Sequence, residues 1–123
     1  MIKGIGIDIV EIKTIEKSIS RSKRFKERIY TANEIQYCEQ KPFKFQHFAA
    51  RFAAKEAVMK AMGIGWDKGI QWKQIEVLSE YNGKPIIRVS GKAKDFLGKM
   101  KLKNILLSLS HSKDYATAFV VIQ

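Results

Sequence analysis

Residues 43–62 constrain the fold more than any other segment, because they have the length and residue types of one long helix. Pro42 suits the first position of this helix, and Gly63 is a natural C-terminal stop. Large and small apolar side chains recur at helical spacing on one face: Phe45, Phe48, Ala49, Phe52, Ala53 and Met59. A second strip would let another backbone approach closely: Ala50, Ala54, Ala57 and Ala61. A helix buried on two sides has to lie at the centre of a 123-residue fold.

Glu56 lies near the middle of the apolar face, and Lys60 follows one turn later. A buried carboxylate without a partner costs several kcal/mol, so Glu56 needs a counter-charge or a metal ion. An ion pair between Glu56 and Lys60 explains their spacing, but it does not explain why the carboxylate lies on an apolar face. Both interpretations are open at this point.

The first strand is predicted over residues 2–10, where side chains alternate between two faces. One face carries Ile5, Ile7 and Ile9. The other face carries Gly4, Gly6, Asp8 and Val10. Glycine within a strand often marks the close approach of a ligand or a second backbone. A local turn at the strand end is the alternative role for Asp8, and a dinucleotide-binding fold is disfavoured because the third glycine and the βαβ unit are missing.

Two carboxylates, one on a strand and one on a helix face, suit a hard divalent cation. Mg²⁺ prefers one or two carboxylates, with waters and phosphate oxygens completing its coordination. Arg51, Lys55 and Lys60 on the same helix are then candidates to hold phosphate groups. A solvated helix face is the alternative interpretation of Arg51 and Lys55.

The charge balance predicts a polyanionic partner. The chain has 23 Lys and Arg against 12 Asp and Glu, a net charge of +11, which would attract nucleic acid, an anionic ligand or an acidic protein. A helix is predicted over residues 11–21, and residues 23–29 continue or restart it. Three arginines around an aromatic residue have the spacing of one helical face: Arg21, Arg24, Phe25 and Arg28. This face suits an acidic helix with an apolar anchor, while nucleic-acid phosphates and plain solvent are the alternatives. A nucleic-acid-binding module does not explain Asp8 and Glu56, which would repel phosphates without a metal.

The remaining patterns predict short elements. Thr31 and Glu34 form a capping-box pattern that opens a helix reaching residue 40. Strands are predicted over residues 71–79 and 85–90 with an Asn-Gly turn between them, a helix over 92–100, and a hairpin over 105–110 and 115–122. Strands and helices do not alternate regularly, so we predict one domain over residues 1–123 with an α+β fold, a mainly antiparallel sheet packed around one long helix. His111, at the last turn, is interpreted as a hydrogen-bonded structural residue or a catalyst.

The sequence also argues against a membrane segment or a disulfide. No apolar run reaches the roughly 18 residues that a span needs, and Lys3 and Asp8 interrupt the first apolar run, which we therefore expect to be neither signal peptide nor anchor. Cys38 is the single cysteine and predicts a free thiol in a reducing cytoplasm.

Four segments together resemble the holo-acyl-carrier-protein synthases, the small members of the 4'-phosphopantetheinyl transferase superfamily. The first is residues 4–12, GIGIDIVEI, and the second is residues 51–63, RFAAKEAVMKAMG. The third is residues 82–85, NGKP, and the fourth is residues 107–111, LSLSH, followed by YATA at 115–118. Their order, spacing and the chain length agree with the family over essentially the whole chain.

The resemblance implies a 4'-phosphopantetheinyl transferase-like fold and a cytoplasmic enzyme of fatty acid biosynthesis. Such an enzyme transfers 4'-phosphopantetheine from coenzyme A to a serine of an apo acyl carrier protein and releases adenosine 3',5'-bisphosphate. It implies that Asp8 and Glu56 ligate Mg²⁺ together with the coenzyme A pyrophosphate, that Lys60 contacts phosphate near the leaving group, and that His111 lies at the active site. With Glu56, directly or through a metal-bound water, as the candidate base for the serine proton, the predicted catalytic residues are Glu56, Lys60 and His111. The residues that it implies for coenzyme A binding are Arg51, Lys60, Lys84, Pro85 and His111.

The resemblance further implies partners and an assembly. The acidic carrier protein would dock on Arg21, Arg24, Phe25 and Arg28, with no role for nucleic acid or membrane. The family is typically a homotrimer with coenzyme A between subunits, and the alanine strip of residues 50–61 is compatible with close subunit packing. One departure is visible at Lys13 and Thr14, where many relatives have an arginine. Because a lysine cannot form a bidentate pair, we expect weaker carrier docking at that point.

Overall fold

The computed structural model describes residues 1–123. Five strands and five α-helices follow one another along the chain. They are β1 (Gly4–Glu11), α1 (Ile12–Arg21), α2 (Lys23–Ile29), α3 (Ala32–Glu39), α4 (Lys44–Met62), β2 (Ile75–Ser79), β3 (Pro85–Val89), α5 (Gly91–Lys99), β4 (Ile105–His111) and β5 (Tyr115–Ile122). Single turns of 3-10 helix occupy Trp66–Lys68 and Trp72–Gln74, between α4 and β2. No helix combines the length and apolar character that crossing a bilayer requires.

All strand pairs are antiparallel, which confirms the α+β class. One sheet has the order β1-β5-β4, and β2 pairs with β3 in a separate hairpin. The predicted Asn-Gly turn joins β2 to β3, and Gly83 there has a positive φ of 89°. The capping box at the start of α3 is also confirmed, because Thr31 and Glu34 bond each other's backbone N–H groups.

The glycine face of β1 receives the alanine strip of α4. A Cβ on Gly4 would lie 2.1 Å from the Ala61 carbonyl oxygen, and a Cβ on Gly6 would lie 1.9 Å from that of Ala57. The predicted close approach of a second backbone is therefore confirmed, and that backbone belongs to the same chain. The alanine strip is buried inside the chain, so its link to subunit packing was wrong.

We predict that Gly6→Ala destabilises the fold by about 3 kcal/mol, because the added methyl must push β1 away from α4. Urea unfolding of the variant and the parent measures the difference. Gly98→Ala is the matched control, since a Cβ at Gly98 meets nothing within 4 Å, and we expect a gain of up to about 1 kcal/mol there. Equal losses at both positions would contradict the packing argument.

Several element ends differ from the predicted ones. The ends at Arg21 and Ile29 agree with the prediction, and the extended backbone of Ser22, with φ −146° and ψ 114°, shows that the helix restarts at Lys23, so Arg24 and Arg28 lie on a separate helix. The helix α4 begins at Lys44 with Phe43 as its N-cap, which leaves Pro42 outside it. Residues 72–74 form a 3-10 turn, so β2 begins only at Ile75. Gly63 ends α4 in the left-handed conformation, with φ 73°, as predicted.

Lys55 is a core residue and not part of a solvated face. Its side chain is 0% exposed, and Nζ donates to Glu34 Oε1 at 2.8 Å and to the carbonyl oxygens of Ile75 at 2.6 Å and Trp72 at 3.2 Å. Burial lowers the pKa of Lys55 even though the Glu34 carboxylate beside it acts in the opposite direction. The interpretations of Lys55 as a phosphate ligand and as a solvated residue are both wrong, because all three of its N–H groups bind inside the protein.

The outer face of the three-stranded sheet is apolar and uncovered in the single chain. Ile5, Ile7 and Ile9 are each more than 60% exposed. Phe119 and Leu106 on the neighbouring strands are also exposed, and Phe119 pairs directly with Ile7. We call this surface, formed by Ile5, Ile7, Ile9, Leu106 and Phe119, the isoleucine face. A contiguous apolar patch of this kind marks an interaction surface.

Candidate functional site

The contact between β1 and α4 brings the two predicted carboxylates to one place. Asp8 Oδ1 lies 3.1 Å from Lys60 Nζ, and the same ammonium donates to the Ile7 carbonyl oxygen at 3.0 Å. Glu56 Oε1 accepts a hydrogen bond of 3.1 Å from Trp66 Nε1. Lys60 thus pairs with Asp8, and the Glu56–Lys60 ion pair that helical spacing allowed is not formed.

The negative charge of Glu56 is unfavourable at this position. Burial raises the pKa of Glu56, and the nearby Asp8 charge raises it further, while the Trp66 hydrogen bond and Lys60 act in the opposite direction. The Asp8 side chain is 16% exposed, and Glu56 is half-buried, so solvent screens their repulsion only partly. A cation between them would relieve this unfavourable proximity.

The donor set fits Mg²⁺. No cluster of three or more His, Cys, Asp or Glu exists that could enclose a metal ion. Two carboxylates therefore leave most of the coordination shell to waters and to a ligand, which is the arrangement that Mg²⁺ adopts with phosphate substrates. Each carboxylate has one oxygen engaged by a protein donor and a second oxygen without one.

A separate cationic cleft lies at the other side of α4. It has a volume of about 430 Å³, and its lining includes Arg51, Lys84, Pro85 and His111. Four of the five residues predicted to bind coenzyme A are therefore brought together. A second cavity of about 810 Å³ shares His111 and Gln46 with the cleft and is bounded by α1 and the start of α4.

Arg51 is fixed in the wall of the cleft. It is buried, its guanidinium lies 4.0 Å from the Tyr37 ring centroid, and one amino group donates to Ser79 Oγ at 3.3 Å. Its Nε is buried without a hydrogen-bond partner, which is costly unless an acceptor is supplied. His111 Nδ1 contacts Gln46 Nε2, so its other ring nitrogen is free.

Lys60 is not part of this cleft. Arg51 and Lys60 are nine positions apart on α4, which is about two and a half helical turns and places them on opposite faces. One chain therefore presents two half-sites. The carboxylate half-site holds Asp8, Glu56 and Lys60, and the cleft half-site holds Arg51, Lys84, Pro85 and His111.

The predicted docking residues are only partly exposed. Arg21, Arg24 and Arg28 point into solvent, whereas Phe25 is half-buried and stacks on Phe52 with ring centroids 6.5 Å apart. Phe25 therefore packs partly against the core, and its role as the apolar anchor for the carrier stays a prediction. The break at Ser22 also means that the arginines do not share one continuous helix.

Sequence reasoning missed several residues that contact the site. Trp66 bonds Glu56, Gln46 bonds His111, and Tyr37 and Ser79 hold Arg51. None belongs to a local pattern, because each lies far along the chain from its partner or in an irregular segment. The only signal was the presence of two tryptophans in the short segment between α4 and β2.

Comparisons with known proteins agree with this geometry. The model of the 4'-phosphopantetheinyl transferase superfamily matches residues 4–120. A holo-[acyl-carrier-protein] synthase of Ruminiclostridium cellulolyticum is 47% identical over 120 residues, which is 96% of this chain and 90% of the relative.

Solved structures give the same result. The holo-[acyl-carrier-protein] synthase of Neisseria meningitidis superposes with a TM-score of 0.89 at 34% identity, over 100% of this chain and 99% of that one. The Helicobacter pylori synthase in complex with coenzyme A gives a TM-score of 0.85 at 33% identity, over 97% and 99% of the two chains. The resemblance seen in four sequence segments thus extends over the whole fold, and the chain belongs to the 4'-phosphopantetheinyl transferase superfamily, among its holo-[acyl-carrier-protein] synthases.

Proposed function

We propose that this protein transfers 4'-phosphopantetheine from coenzyme A to a serine of an apo acyl carrier protein and releases adenosine 3',5'-bisphosphate. The observation that carries the proposal is the half-buried carboxylate pair of Asp8 and Glu56 beside Lys60, created by the contact of the glycine face with α4. Residues 1–123 act as one catalytic domain that supports fatty acid biosynthesis.

Asp8 and Glu56 would hold Mg²⁺ through the oxygens that no protein donor occupies. The bound ion would neutralise charge on the coenzyme A pyrophosphate and polarise the phosphoryl group under attack. The hard carboxylate donors support this choice of metal, since a thiolate or imidazole set would favour zinc.

The protein's own residues divide the remaining chemistry. The serine oxygen attacks the phosphorus that bears the pantetheine arm, and the bond from that phosphorus to the bisphosphate breaks. Glu56, directly or through a water molecule, is the candidate acceptor of the serine proton. Lys60 compensates the negative charge that develops on the leaving phosphate. Its ammonium group is exposed and lies beside Asp8, next to the proposed metal site.

The cleft half-site binds the rest of coenzyme A. Arg51, whose side chain lines the cleft, and Lys84, exposed on the turn between β2 and β3, are suited to nucleotide phosphates. His111 would form a hydrogen bond to coenzyme A through Nε2, the ring nitrogen that Gln46 does not contact. Pro85 would supply an apolar part of the cleft wall.

The active assembly would be the homotrimer that the family resemblance implies, and the two half-sites support a site shared between copies of the chain. They lie on opposite faces of α4, so a single chain does not bring His111 to Glu56. A second copy that places its cleft beside the carboxylates of the first would complete the site. The isoleucine face supplies an apolar surface for such an assembly, and sedimentation of a species three times the 14.1 kDa chain mass would test the trimer.

A cytoplasmic location is the last part of the proposal. Cys38 is the only cysteine and is buried, and burial raises the pKa of its thiol to about 12. A free, unreactive thiol is typical of proteins in reducing compartments.

Mass spectrometry of a purified apo acyl carrier protein, incubated with this protein, coenzyme A and Mg²⁺, tests the function. We expect a gain of one phosphopantetheine, lost on chelation and in Asp8→Ala. No gain with several carriers would overturn the proposal. Binding of random oligonucleotides with a steep salt dependence would then favour a nucleic-acid-binding protein.

For carrier docking, we predict that Arg24→Glu raises the KM for the carrier about tenfold and leaves the KM for coenzyme A unchanged. Arg24 is exposed on α2, where charge reversal would repel an acidic helix but would not reach the cleft. Steady-state kinetics with each substrate varied in turn measures both constants. Lys99→Glu on α5 is the control for net charge, and equal changes in the two KM values of Arg24→Glu would refute the docking assignment.

A further inference from the structure

Trp66 is the only residue that donates a hydrogen bond to the Glu56 carboxylate. Its Nε1 lies 3.1 Å from Glu56 Oε1, and the indole is half-buried. A half-buried indole N–H needs an acceptor, and a half-buried carboxylate needs a donor, so each satisfies the other. The bond leaves Glu56 Oε2 without a protein partner.

The orientation of the indole is fixed by a stack of four aromatic rings. Trp66 stacks on Trp72 with centroids 3.9 Å apart and planes inclined by 20°. Trp72 stacks on Phe52 at 4.9 Å, and Phe52 stacks on Phe25 at 6.5 Å. Phe52 lies one turn before Glu56 on α4, so the same helix carries both the carboxylate and the ring on which the stack rests.

The segment that carries Trp66 needs this anchorage. Gly63 reverses the chain after α4 in the left-handed conformation, and Gly69 has a positive φ of 83° at the other end of the segment. Between them lies only one turn of 3-10 helix, Trp66–Lys68. The stack and the hydrogen bond to Glu56 therefore tie an otherwise short and irregular connection to α4.

We propose that Trp66 is a positioning residue for the metal site, which holds Glu56 Oε1 so that Oε2 faces the divalent cation. This inference rests on the proposed function, because it assigns a role toward the Mg²⁺ that Asp8 and Glu56 would bind. Lys60 holds Asp8 Oδ1 in the same way, so each ligand carboxylate has one fixed and one available oxygen. A donor that orients a metal ligand typically changes metal affinity by at least about tenfold.

The test compares Trp66→Phe with Trp72→Phe in the full chain. Phenylalanine at position 66 keeps a ring for the stack and removes the N–H, while Trp72 makes no side-chain hydrogen bond to Glu56. Calorimetric titration of Mg²⁺ into each protein, saturated with coenzyme A, gives the metal dissociation constant. We expect it to rise about tenfold in Trp66→Phe and by less than twofold in Trp72→Phe.

A fluorescence titration provides a readout that leaves Trp66 intact. The chain has two tryptophans, so Trp72→Phe makes Trp66 the sole tryptophan, whose emission can be excited apart from that of the four tyrosines. We expect its emission to change with Mg²⁺ in the presence of coenzyme A and to stop responding when Glu56→Gln is added. A merely structural role of Trp66 would alter the melting temperature but neither of these metal-dependent signals.

The outcomes separate this inference from the proposed function. Equal Mg²⁺ affinity in Trp66→Phe and the parent, or a Trp66 emission that ignores Mg²⁺, would overturn the positioning role while leaving transfer by Asp8 and Glu56 intact. If the parent protein itself binds no Mg²⁺ with coenzyme A, both the metal role and the inference are wrong.

Discussion

We expect Glu56→Gln to lower kcat for phosphopantetheine transfer by about a thousandfold while the protein stays folded. Glutamine has nearly the same shape and keeps an oxygen that accepts the Trp66 hydrogen bond. It lacks both the charge that binds Mg²⁺ and the basicity that removes the serine proton. Single-turnover transfer to an apo carrier, followed by mass, measures the loss, and the melting temperature checks the fold.

Metal titration separates the two roles of Glu56. Asp8→Asn removes a charged metal ligand and the counter-charge of Lys60 but no proton acceptor, so raised Mg²⁺ should restore part of its activity. Glu56→Gln also removes the proton acceptor, and raised Mg²⁺ should restore much less. Asp95→Asn, which neutralises an exposed carboxylate on α5, is the control and should retain full activity. Intact transfer in Glu56→Gln would remove this residue from the mechanism.

The sequence predicted the carboxylate half-site because local periodicity determines most of it. Alternation along β1 places Asp8 on the same face as Gly4 and Gly6, and the alanine strip marks the matching face of α4. The small residues on both elements let the backbones of β1 and α4 approach each other closely, and this packing brings Asp8 near Glu56. Two elements that each carry an unusual residue on a packed face were thus enough to predict a shared site.

Periodicity could not decide which charged groups pair. Lys60 is one turn from Glu56 yet binds Asp8, because the carbonyl oxygen of Ile7 lies beside that carboxylate and adds a second acceptor. Nor could it find Trp66, which reaches Glu56 only because Gly63 turns the chain back along α4. Such contacts depend on loop geometry, which has no repeating pattern.

The sequence motifs did not separate the two half-sites, although the nine-residue spacing of Arg51 and Lys60 on α4 already places them on opposite faces. The resemblance groups Arg51 and Lys60 as ligands of one coenzyme A molecule, whereas their positions on α4 place them on opposite faces. A ligand that touches both must therefore lie between copies of the chain or span the helix. The exposed isoleucine face favours the first arrangement, since it leaves a large apolar surface for a neighbouring subunit.

Lys55 shows why helical position alone misjudges a lysine. It follows Arg51 by one turn and belongs to the same predicted motif, so both phosphate binding and solvation were reasonable. Its actual partner, Glu34, is 21 residues away on α3 and is equally buried. Glu34 also accepts the N–H groups of Val77 and Thr31, at 2.9 and 2.8 Å. The pair therefore joins α3, α4 and β2.

We predict that Lys55→Met lowers the free energy of unfolding by about 3–5 kcal/mol, because methionine fills the space but leaves the Glu34 charge buried without its ammonium partner. Urea denaturation measures the loss, which is a large share of a typical domain's stability of about 5–15 kcal/mol. Adding Glu34→Gln should recover part of it, since the neutral amide still accepts from Val77. If Lys55→Met alone is as stable as the parent, the pair contributes nothing to stability.

Because Lys55 has no free N–H, we expect the KM of Lys55→Met for coenzyme A to stay unchanged in the folded fraction. A rise in this KM would return Lys55 to the phosphate-binding residues.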